Sequence, residues 1–292
     1  MIRELGRDEL GVYVDLRRAV DPLALVSVED QRHHAAVNEA PLWLLAEEER
    51  RAVGYGFGSF WAGEPKDSMS VRWGVLAAAR GRGHGSALHA ALAAHAREHG
   101  AAELQAAADD VGRAWLERRG FRLIDRQERI VLDVRHAPAP EPMPDGVELT
   151  TYRERPELAR ALHALAEEGL KDIPGGLAEL GFSFEAWLAD REVPSRPPEF
   201  LHILLVRGEP AGYASLNVYG SAAYNGFTVV SRRFRRRGLA RALKLAQIED
   251  ARRAGIAHLI TQSNEDNAAM RALNAELGYR PATPLFVLNG PA

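Results

Sequence analysis

The sequence predicts an α+β protein made of two tandem domains, each with a mixed central β-sheet flanked by helices. A short arginine–glycine pattern occurs twice, each time between an apolar strand-like run and a long segment rich in Ala and Leu. Its flanking segments recur as well, and 292 residues suit about two domains that each bury a core. Repeats of this size indicate duplicated domains rather than a solenoid. The matching segments are 53–56 with 211–214, 80–85 with 235–240, and 116–121 with 274–279.

Apolar periodicity predicts the elements of each half. In the first half it predicts helices over 10–20, 86–99 and 111–119 and strands over 42–46, 52–60, 71–76, 103–107 and 121–134. In the second half it predicts helices over 157–169, 239–254 and 268–277 and strands over 201–206, 211–218, 223–230 and 258–262. Both halves therefore place the arginine–glycine pattern where a strand passes into a long helix.

A proline-rich segment, residues 136–146, separates the two halves. Its four prolines stand at alternate positions, remove backbone donors and hold the chain extended, so the segment suits neither a helix nor a central strand. The predicted organisation is an N-terminal domain over 1–135, a linker over 136–146 and a C-terminal domain over 147–292.

Composition excludes several classes of function. The net charge of −3 gives no general attraction to nucleic acid or to an anionic membrane. The absence of cysteine excludes disulfides, Cys-ligated zinc and a Cys nucleophile. No apolar run approaches the roughly 18 residues of a membrane span. We expect a cytoplasmic enzyme or binding protein, with neither nucleic acid nor membrane as partner, and the oligomeric state stays open.

The repeated pattern has the chemistry of a phosphate-binding turn, and we call residues 80–86 the first cradle and residues 235–241 the second cradle. At a strand-to-helix junction, unpaired backbone N–H groups and the positive end of a helix dipole can hold a pyrophosphate. Gly83 and Gly238 let the backbone approach the phosphates, and the small Gly85 and Ala240 let the helix start close on them. Arg80 and Arg235 add positive charge.

Three other interpretations of these motifs are weaker. The glycines of the first cradle lack the G-x-G-x-x-G spacing of a dinucleotide site. The arginine cluster over 232–237 stands in a chain of net negative charge, which disfavours a nucleic-acid patch. Residues 95–99 match the H-x-x-E-H pattern of some zinc proteases, but the duplicate has Asp250 and Ala254 at the histidine positions. We therefore expect no metal.

With the cradles, their strands and helices, and a Gly-Phe/Tyr pair after each last helix in view, both halves resemble the GNAT superfamily of acetyl-CoA-dependent N-acyltransferases, in a tandem arrangement like that of mycothiol synthase. The resemblance covers nearly the whole chain. It implies that the cradle N–H groups bind the pyrophosphate of acetyl-CoA, and that the strand before each cradle pairs its open edge with the pantetheine arm. The predicted coenzyme-binding residues are Val75, Leu76, Arg80, Gly81, Arg82, Gly83, His84, Gly85, Ser86, Val229, Val230, Arg235, Arg236, Arg237, Gly238, Leu239, Ala240, Arg241, Asn264 and Asn267.

The resemblance also implies that a main-chain N–H polarises the thioester carbonyl, and Val75 and Val229 are predicted to carry it. The tyrosine that many relatives use to protonate the departing thiolate is replaced here by Leu116 and Asn274. Because a coenzyme A thiol resembles a free thiol, with a pKa of about 8.5, hydrogen-bond help alone can let it leave. Asn274 can give that help and Leu116 cannot.

These differences point to the C-terminal domain as the catalytic one. Its polar run over 261–267 supplies Asn264 and Asn267, either for the pantetheine arm or as a helix cap and turn. The equivalent run of the first half has no Asn. We therefore predict that the N-terminal domain is degenerate, and that it is either a second acyl-CoA site or a scaffold.

The predicted reaction is direct transfer of an acetyl group to the primary amine of a small molecule, without an acyl-enzyme or a metal. Asp172 lies where the resemblance places the acceptor side and is predicted to grip a cationic amine, with a turn cap as the alternative. The segment over 174–198 could close over a small amine. Two alternatives stay open: a non-catalytic acyl-CoA-binding or sensing protein, and an acetyltransferase for protein N-termini or lysines.

Overall fold

A computed structural model describes residues 1–60, 66–172, 183–264 and 266–292 of the chain. Its helices are α1 (Leu10–Val20), α2 (Val28–Val37), α3 (His84–Glu98), α4 (Asp110–Glu117), α5 (Ala159–Leu170), α6 (Phe184–Arg191), α7 (Leu239–Arg253) and α8 (Ala268–Glu276). Its strands are β1 (Ile2–Glu4), β2 (Glu39–Glu48), β3 (Arg51–Phe60), β4 (Ser68–Val75), β5 (Glu103–Ala108), β6 (Arg122–Asp133), β7 (Val147–Thr151), β8 (Leu201–Val206), β9 (Glu209–Tyr219), β10 (Ala222–Val230), β11 (His258–Asn264) and β12 (Arg280–Pro291).

Every predicted helix and strand is present, and the sequence analysis missed five elements: α2, α6, β1, β7 and β12. The apolar pattern of α2 is weak, since Asp30 and Gln31 are among its buried residues. It begins because Ser27 caps it, accepting a hydrogen bond from the Asp30 N–H at 3.1 Å. β12 contains three prolines and a glycine, which are disfavoured inside strands, so the sequence pattern predicted no strand there.

The chain forms two compact units: unit 1 comprises residues 1–126 and 284–292, and unit 2 comprises residues 127–283. In unit 1 the strand order is β1-β2-β3-β4-β5-β12, and in unit 2 it is β6-β11-β10-β9-β8-β7. Each sheet has one parallel pair, β4 with β5 and β10 with β11, among antiparallel ones. The prediction of mixed sheets flanked by helices is confirmed.

The units differ in extent from the predicted domains 1–135 and 147–292, because each takes a strand from beyond those limits. The end of β12 pairs with β5 inside unit 1, from Phe286 opposite Ala108 to Pro291 opposite Glu103. Residues 127–133 of β6 pair with β11 inside unit 2. The proline-rich segment 136–146 also lies in unit 2.

Helices cover both faces of each sheet. In unit 2, α7 and α8 pack on one face with residues such as Leu245 and Leu273, while α5 and α6 pack on the other through Leu162 and Trp187. In unit 1, α3 and α4 share one face, and α1 and α2 share the other. The long helix and the helix after the next strand therefore lie on the same side of the central parallel pair in both units. Among the described residues, no helix combines the length and apolar character needed to cross a membrane.

Candidate active site

The two central strands of unit 2 separate after a short stretch of pairing. β10 and β11 pair at three positions, from Ala222 opposite His258 to Tyr224 opposite Ile260. Beyond them β10 continues along β9 with a shift of register between Asn225 and Thr228, which marks a β-bulge. The Thr261 hydroxyl donates to the Asn225 carbonyl at 2.8 Å where the strands part. The last part of β10 thus has a free edge on the β11 side.

Alternation along β10 decides which of its N–H groups reach that free edge. The Ser231 N–H donates to the Ala211 carbonyl of the β9 side at 2.9 Å. In an antiparallel ladder the backbone groups of successive residues point to opposite edges, so Val229 also faces β9. Thr228 and Val230 face the free edge, and the Val230 carbonyl there accepts from Arg235 Nε at 2.9 Å.

This register does not support the choice of Val229 as the residue whose N–H polarises a thioester. The corresponding choice in unit 1, Val75, does face the free edge of β4, because its carbonyl accepts from Arg80 Nε at 3.1 Å. The sequence held the signal for Val230, since the spacing between the cradle arginines relates Val75 to Val230 rather than to Val229. Sequence reasoning also missed Thr228.

The second cradle has the backbone of an anion site. Arg236 and Gly238 adopt left-handed conformations, with φ of +61° and +76°. The first hydrogen bond of α7 runs from the Ala242 N–H to the Gly238 carbonyl at 3.0 Å, so the N–H groups before it have no intrahelical partner. A Cβ on Gly238 would meet nothing within 4 Å. Glycine is thus favoured there by its positive φ, and the space above it is open.

Two carboxylates fix the start of the second cradle. Asp172 accepts from Arg232 Nη2 at 2.6 Å and from Arg235 Nη2 at 2.5 Å, and these arginines lower the pKa of its carboxyl group. Glu168 accepts from the Arg232 N–H. Both oxygens of Asp172 are occupied by arginines, so this geometry gives it a place in the cradle and no support as the grip on a substrate amine.

The remaining arginines of the second cradle differ in their partners. Arg241 pairs with Glu141 at 2.6 Å and Glu276 at 3.4 Å. Arg236 and Arg237 form no ion pair with any residue that the structure describes. These two guanidinium groups are therefore the ones whose charge is left for a phosphate.

The first cradle has the same backbone but a different electrostatic setting. Gly81 and Gly83 have φ of +78° and +88°, and α3 starts with the Ala87 N–H donating to the Gly83 carbonyl at 3.0 Å. Arg82, however, binds both oxygens of Glu48 at 2.8 Å, and this guanidinium lowers the pKa of the carboxyl group. The negative charge of Glu48 would repel a phosphate bound here, and Glu48 already pairs with the guanidinium group of Arg82.

Aromatic side chains fill the space beside β4 in unit 1. Trp73 of β4, His89 of α3 and Trp115 of α4 lie in mutual ring contact, with centroids 5.5 to 5.9 Å apart. By the spacing of the repeat, Trp73 corresponds to Thr228, and His89 to Lys244. The two units therefore differ in the side chains that line the same position.

The asparagines predicted in unit 2 have local partners. The Asn267 side chain accepts from the Met270 N–H at 3.2 Å and caps α8, and Asn264 Oδ1 accepts from the Asp266 N–H at 2.8 Å in a turn. The cap-and-turn alternative describes both. Asn274 on α8 is 1% exposed, and its Oδ1 lacks a hydrogen-bond partner among the described residues.

A buried lysine was missed altogether. Lys244 of α7 is 2% exposed, donates to Asn225 Oδ1, and lies with Nζ 5.6 Å from the centre of the Tyr279 ring. Burial lowers the pKa of its ammonium group to about 7 and raises the pKa of Tyr279. The available signal was its place between Leu243 and Leu245 in a chain with three lysines.

A mixed sheet whose parallel central strands diverge before an anion-binding turn, present twice, defines an acyl-coenzyme A-dependent transferase with two similar units. The chain belongs to the Acetyltransferase (GNAT) family, whose profile matches residues 12–121 and 162–279. It is an acyl-CoA-dependent N-acetyltransferase. The predicted family and tandem duplication are confirmed.

Solved structures share the fold over the whole chain. A tandem GNAT protein from the clavulanic acid biosynthesis pathway, solved without AcCoA, has a TM-score of 0.75 at 23% identity and covers 100% of this chain and 98% of its own. A GCN5-related N-acetyltransferase from Sphaerobacter thermophilus has a TM-score of 0.75 at 19% identity, covering 100% and 95%. An acetyltransferase of the GNAT family from Colwellia psychrerythraea has a TM-score of 0.56 at 13% identity, covering 100% and 99%. No curated protein matches the sequence.

Proposed function

We propose that the chain transfers an acetyl group from acetyl-CoA directly to the primary amine of a small molecule, and that unit 2 carries the reaction. The observation that carries this proposal is the second cradle. There a left-handed turn leaves the first N–H groups of α7 unpaired at the end of a free strand edge. Unpaired N–H groups at a helix N-terminus suit a pyrophosphate.

The cofactor would be held by backbone and charge together. The N–H groups of residues 236–241 would bind the pyrophosphate, with Arg236 and Arg237 supplying charge. Thr228 and Val230 would present the free edge of β10 to the pantetheine arm. When bound, acetyl-CoA supplies an acetyl thioester. The N–H of Val230, or that of Thr228 on the same edge, would donate to the thioester carbonyl, and one such donor aimed at a developing oxyanion contributes about 3 to 4 kcal/mol.

Three features favour unit 2 over unit 1. Glu48 occupies Arg82 in the first cradle, aromatic rings fill the space beside β4, and Leu116 stands at the position of Asn274. We propose that unit 1 is a scaffold that retains the backbone of a cradle.

Close packing supports a small acceptor. On the face of β10 opposite α7, helix α5 approaches so closely that a Cβ on Gly169 would come within 2.7 Å of Val229 Cγ2. A narrow face of this kind favours a small amine over an extended peptide. Residues 174–182, part of the segment predicted to close over the acceptor, lie outside the described residues.

The test is a calorimetric titration with acetyl-CoA, followed by measurement of amine-dependent thiol release. Gly238→Asp and Gly83→Asp form a matched pair, because both glycines have positive φ and open space around a Cβ, and Asp tolerates that conformation better than most residues. We expect one site per chain, lost in the Gly238 variant and kept in the Gly83 variant.

Each other result has a defined meaning. Two sites per chain would show that unit 1 also binds the coenzyme. Loss of binding in the Gly83 variant alone would reverse the assignment of the units. Binding without thiol release across a panel of small amines and peptides would support the acyl-CoA-sensing alternative, and release with peptides alone would support a protein acetyltransferase.

A further inference from the structure

We propose that Lys244 is the proton donor for the departing coenzyme A thiolate, in the role that the absent tyrosine fills in many relatives. The inference rests on the proposed acetyl transfer in unit 2. It starts from a buried polar cluster on the face of the sheet that α7 and α8 cover.

The cluster is linked by direct contacts. Lys244 donates to Asn225 Oδ1, and Asn225 Nδ2 donates to Gln247 Oε1 at 2.5 Å. The Tyr279 ring lies 5.6 Å from Lys244 Nζ, and the Tyr279 N–H donates to the Asn274 carbonyl at 3.0 Å. The side-chain contacts thus join α7 and β10 to Tyr279, which follows α8 in the chain.

Its position is next to the free edge of β10. Asn225, which binds Lys244, is the first residue of β10 beyond its last pair with β11. The repeat gives a second indication, because the residues of unit 1 that correspond to Lys244 and Thr228 touch each other. His89 and Trp73 lie with ring centroids 5.5 Å apart. A side chain at this helix position therefore reaches toward the free edge of β10, whose N–H groups would hold the thioester.

The cluster also has polar capacity left over. An ammonium group offers three donors, and the one hydrogen bond that the described residues give Lys244 goes to Asn225. Gln247 Nε2, the Tyr279 hydroxyl and Asn274 Oδ1 are buried without partners in the described part of the chain. Buried unpaired polar groups oppose folding, and a ligand that pairs with them is one explanation for their presence.

The charged surroundings of Lys244 do not neutralise it. On α7 itself, Glu249 pairs with Arg252 and Arg253, and Asp250 pairs with His202 of β8. Asn225 of β10, Thr261 of β11 and Asn274 of α8 do not titrate. Among the residues that the structure describes, the titratable group in contact with Lys244 is the phenol of Tyr279, and burial lowers the pKa of the lysine to about 7. An acid of this strength is matched to neutral pH.

In the proposed step Lys244 supplies the proton that the departing sulfur needs. The neutral amine nitrogen forms a bond to the thioester carbonyl carbon, the carbon–sulfur bond breaks, and its electron pair stays on sulfur. The Lys244 ammonium gives its proton to that sulfur and becomes a neutral amine. The amide nitrogen of the product loses one proton to solvent, and solvent returns one proton to Lys244.

The first test measures the thiol pKa of bound coenzyme A from the ultraviolet absorbance of the thiolate. We expect a value below the roughly 8.5 of a free thiol in the wild-type complex, and a return to that value in Lys244→Met. A wild-type value at or above that of the free thiol would overturn the proposal without any variant being needed.

The second test measures kcat against pH with acetyl-CoA and a reactive amine. Loss of a general acid is expected to lower kcat by about 100-fold or more, with little change in the affinity for coenzyme A. The loss of rate above about pH 7 should disappear in Lys244→Met. Lys244→Arg keeps the charge but not a transferable proton, so it should retain the lowered thiol pKa and lose the rate.

The outcomes separate the two proposals. Failure of the wild-type protein to bind acetyl-CoA would refute the proposed function and this inference together. Wild-type turnover that Lys244→Met leaves unchanged, in magnitude and in pH profile, would refute the role of Lys244 alone. Lys66→Met serves as the control, because Lys66 is 61% exposed and pairs with Glu39 on the surface.

Discussion

Replacing Lys244 by Met should change how the stability of the protein depends on pH. Met removes the buried ammonium group and keeps a similar apolar length. Burial lowers the pKa of Lys244 to about 7 in the folded chain, against about 10.4 in an unfolded chain. Between these values the unfolded state binds more protons than the folded state, so stability rises with pH across this window and is lowest below it.

The pKa difference sets the size of the effect. Integrated from about pH 7 to about pH 10, the wild-type protein should gain about 3 to 4 kcal/mol of unfolding free energy that Lys244→Met does not gain. The variant also leaves Asn225 Oδ1 without its donor, which costs about 1 to 3 kcal/mol at every pH. We therefore expect the variant to compare best with the wild type near pH 7 and worst near pH 10.

The assay is urea unfolding of the wild type, Lys244→Met and Lys66→Met at both pH values, followed by far-ultraviolet circular dichroism. The Lys66 variant should follow the wild-type dependence on pH, since an exposed ion pair contributes about 0 to 1 kcal/mol. Identical pH dependence in the wild type and Lys244→Met would show that burial does not lower the pKa of Lys244. It would then remove the reason to regard Lys244 as an acid near neutral pH.

Three further predictions concern packing. Gly169→Ala should lower the melting temperature, since the new Cβ would lie 2.7 Å from a β10 side chain, whereas Gly11→Ala in α1 meets nothing within 4 Å and should stabilise by about 0.5 to 1 kcal/mol. Gly290→Ala should destabilise unit 1, because its Cβ would lie 2.3 Å from the Phe121 ring, and a melting temperature equal to that of the wild type would contradict this packing. Deleting residues 284–292 should expose β5 and make unit 1 sensitive to limited proteolysis, and unchanged resistance would argue against the pairing of β12 with β5.

Much of the fold followed from local patterns in the sequence. The duplicated cradles predicted both strand-to-helix junctions, since a positive-φ glycine and an unpaired helix start are local features. The partner of β12 could not be predicted in the same way, because its prolines hide the strand and its pairing joins residues 286–291 to residues 103–108, far apart in the sequence. The compact units consequently depart from limits drawn at the proline-rich segment.

The candidate site likewise combines residues that local sequence predicts with residues that only the packing reveals. The turn glycines of the cradles, such as Gly238, could be singled out from the sequence because their residue type is dictated by a positive φ. Lys244 was missed because a lysine on a helix is ordinarily exposed, and only the packing of α7 against β10 reveals that it is buried. The apolar pattern of the strand leaves the choice between Val229 and Val230 open by one residue, and the spacing to Arg235 and the hydrogen-bond register both favour Val230.

Since both cradles share one backbone, the difference between the units must come from side chains. At equivalent positions unit 1 has Trp73 and His89, packed against Trp115, where unit 2 has Thr228 and Lys244. Packed aromatic rings stabilise a fold. A buried ammonium group destabilises a fold, and a functional role is a reason for a protein to keep one. Unit 2 therefore keeps an arrangement that folding alone disfavours. That asymmetry is the strongest physical reason to place the chemistry in unit 2 and to regard unit 1 as a scaffold.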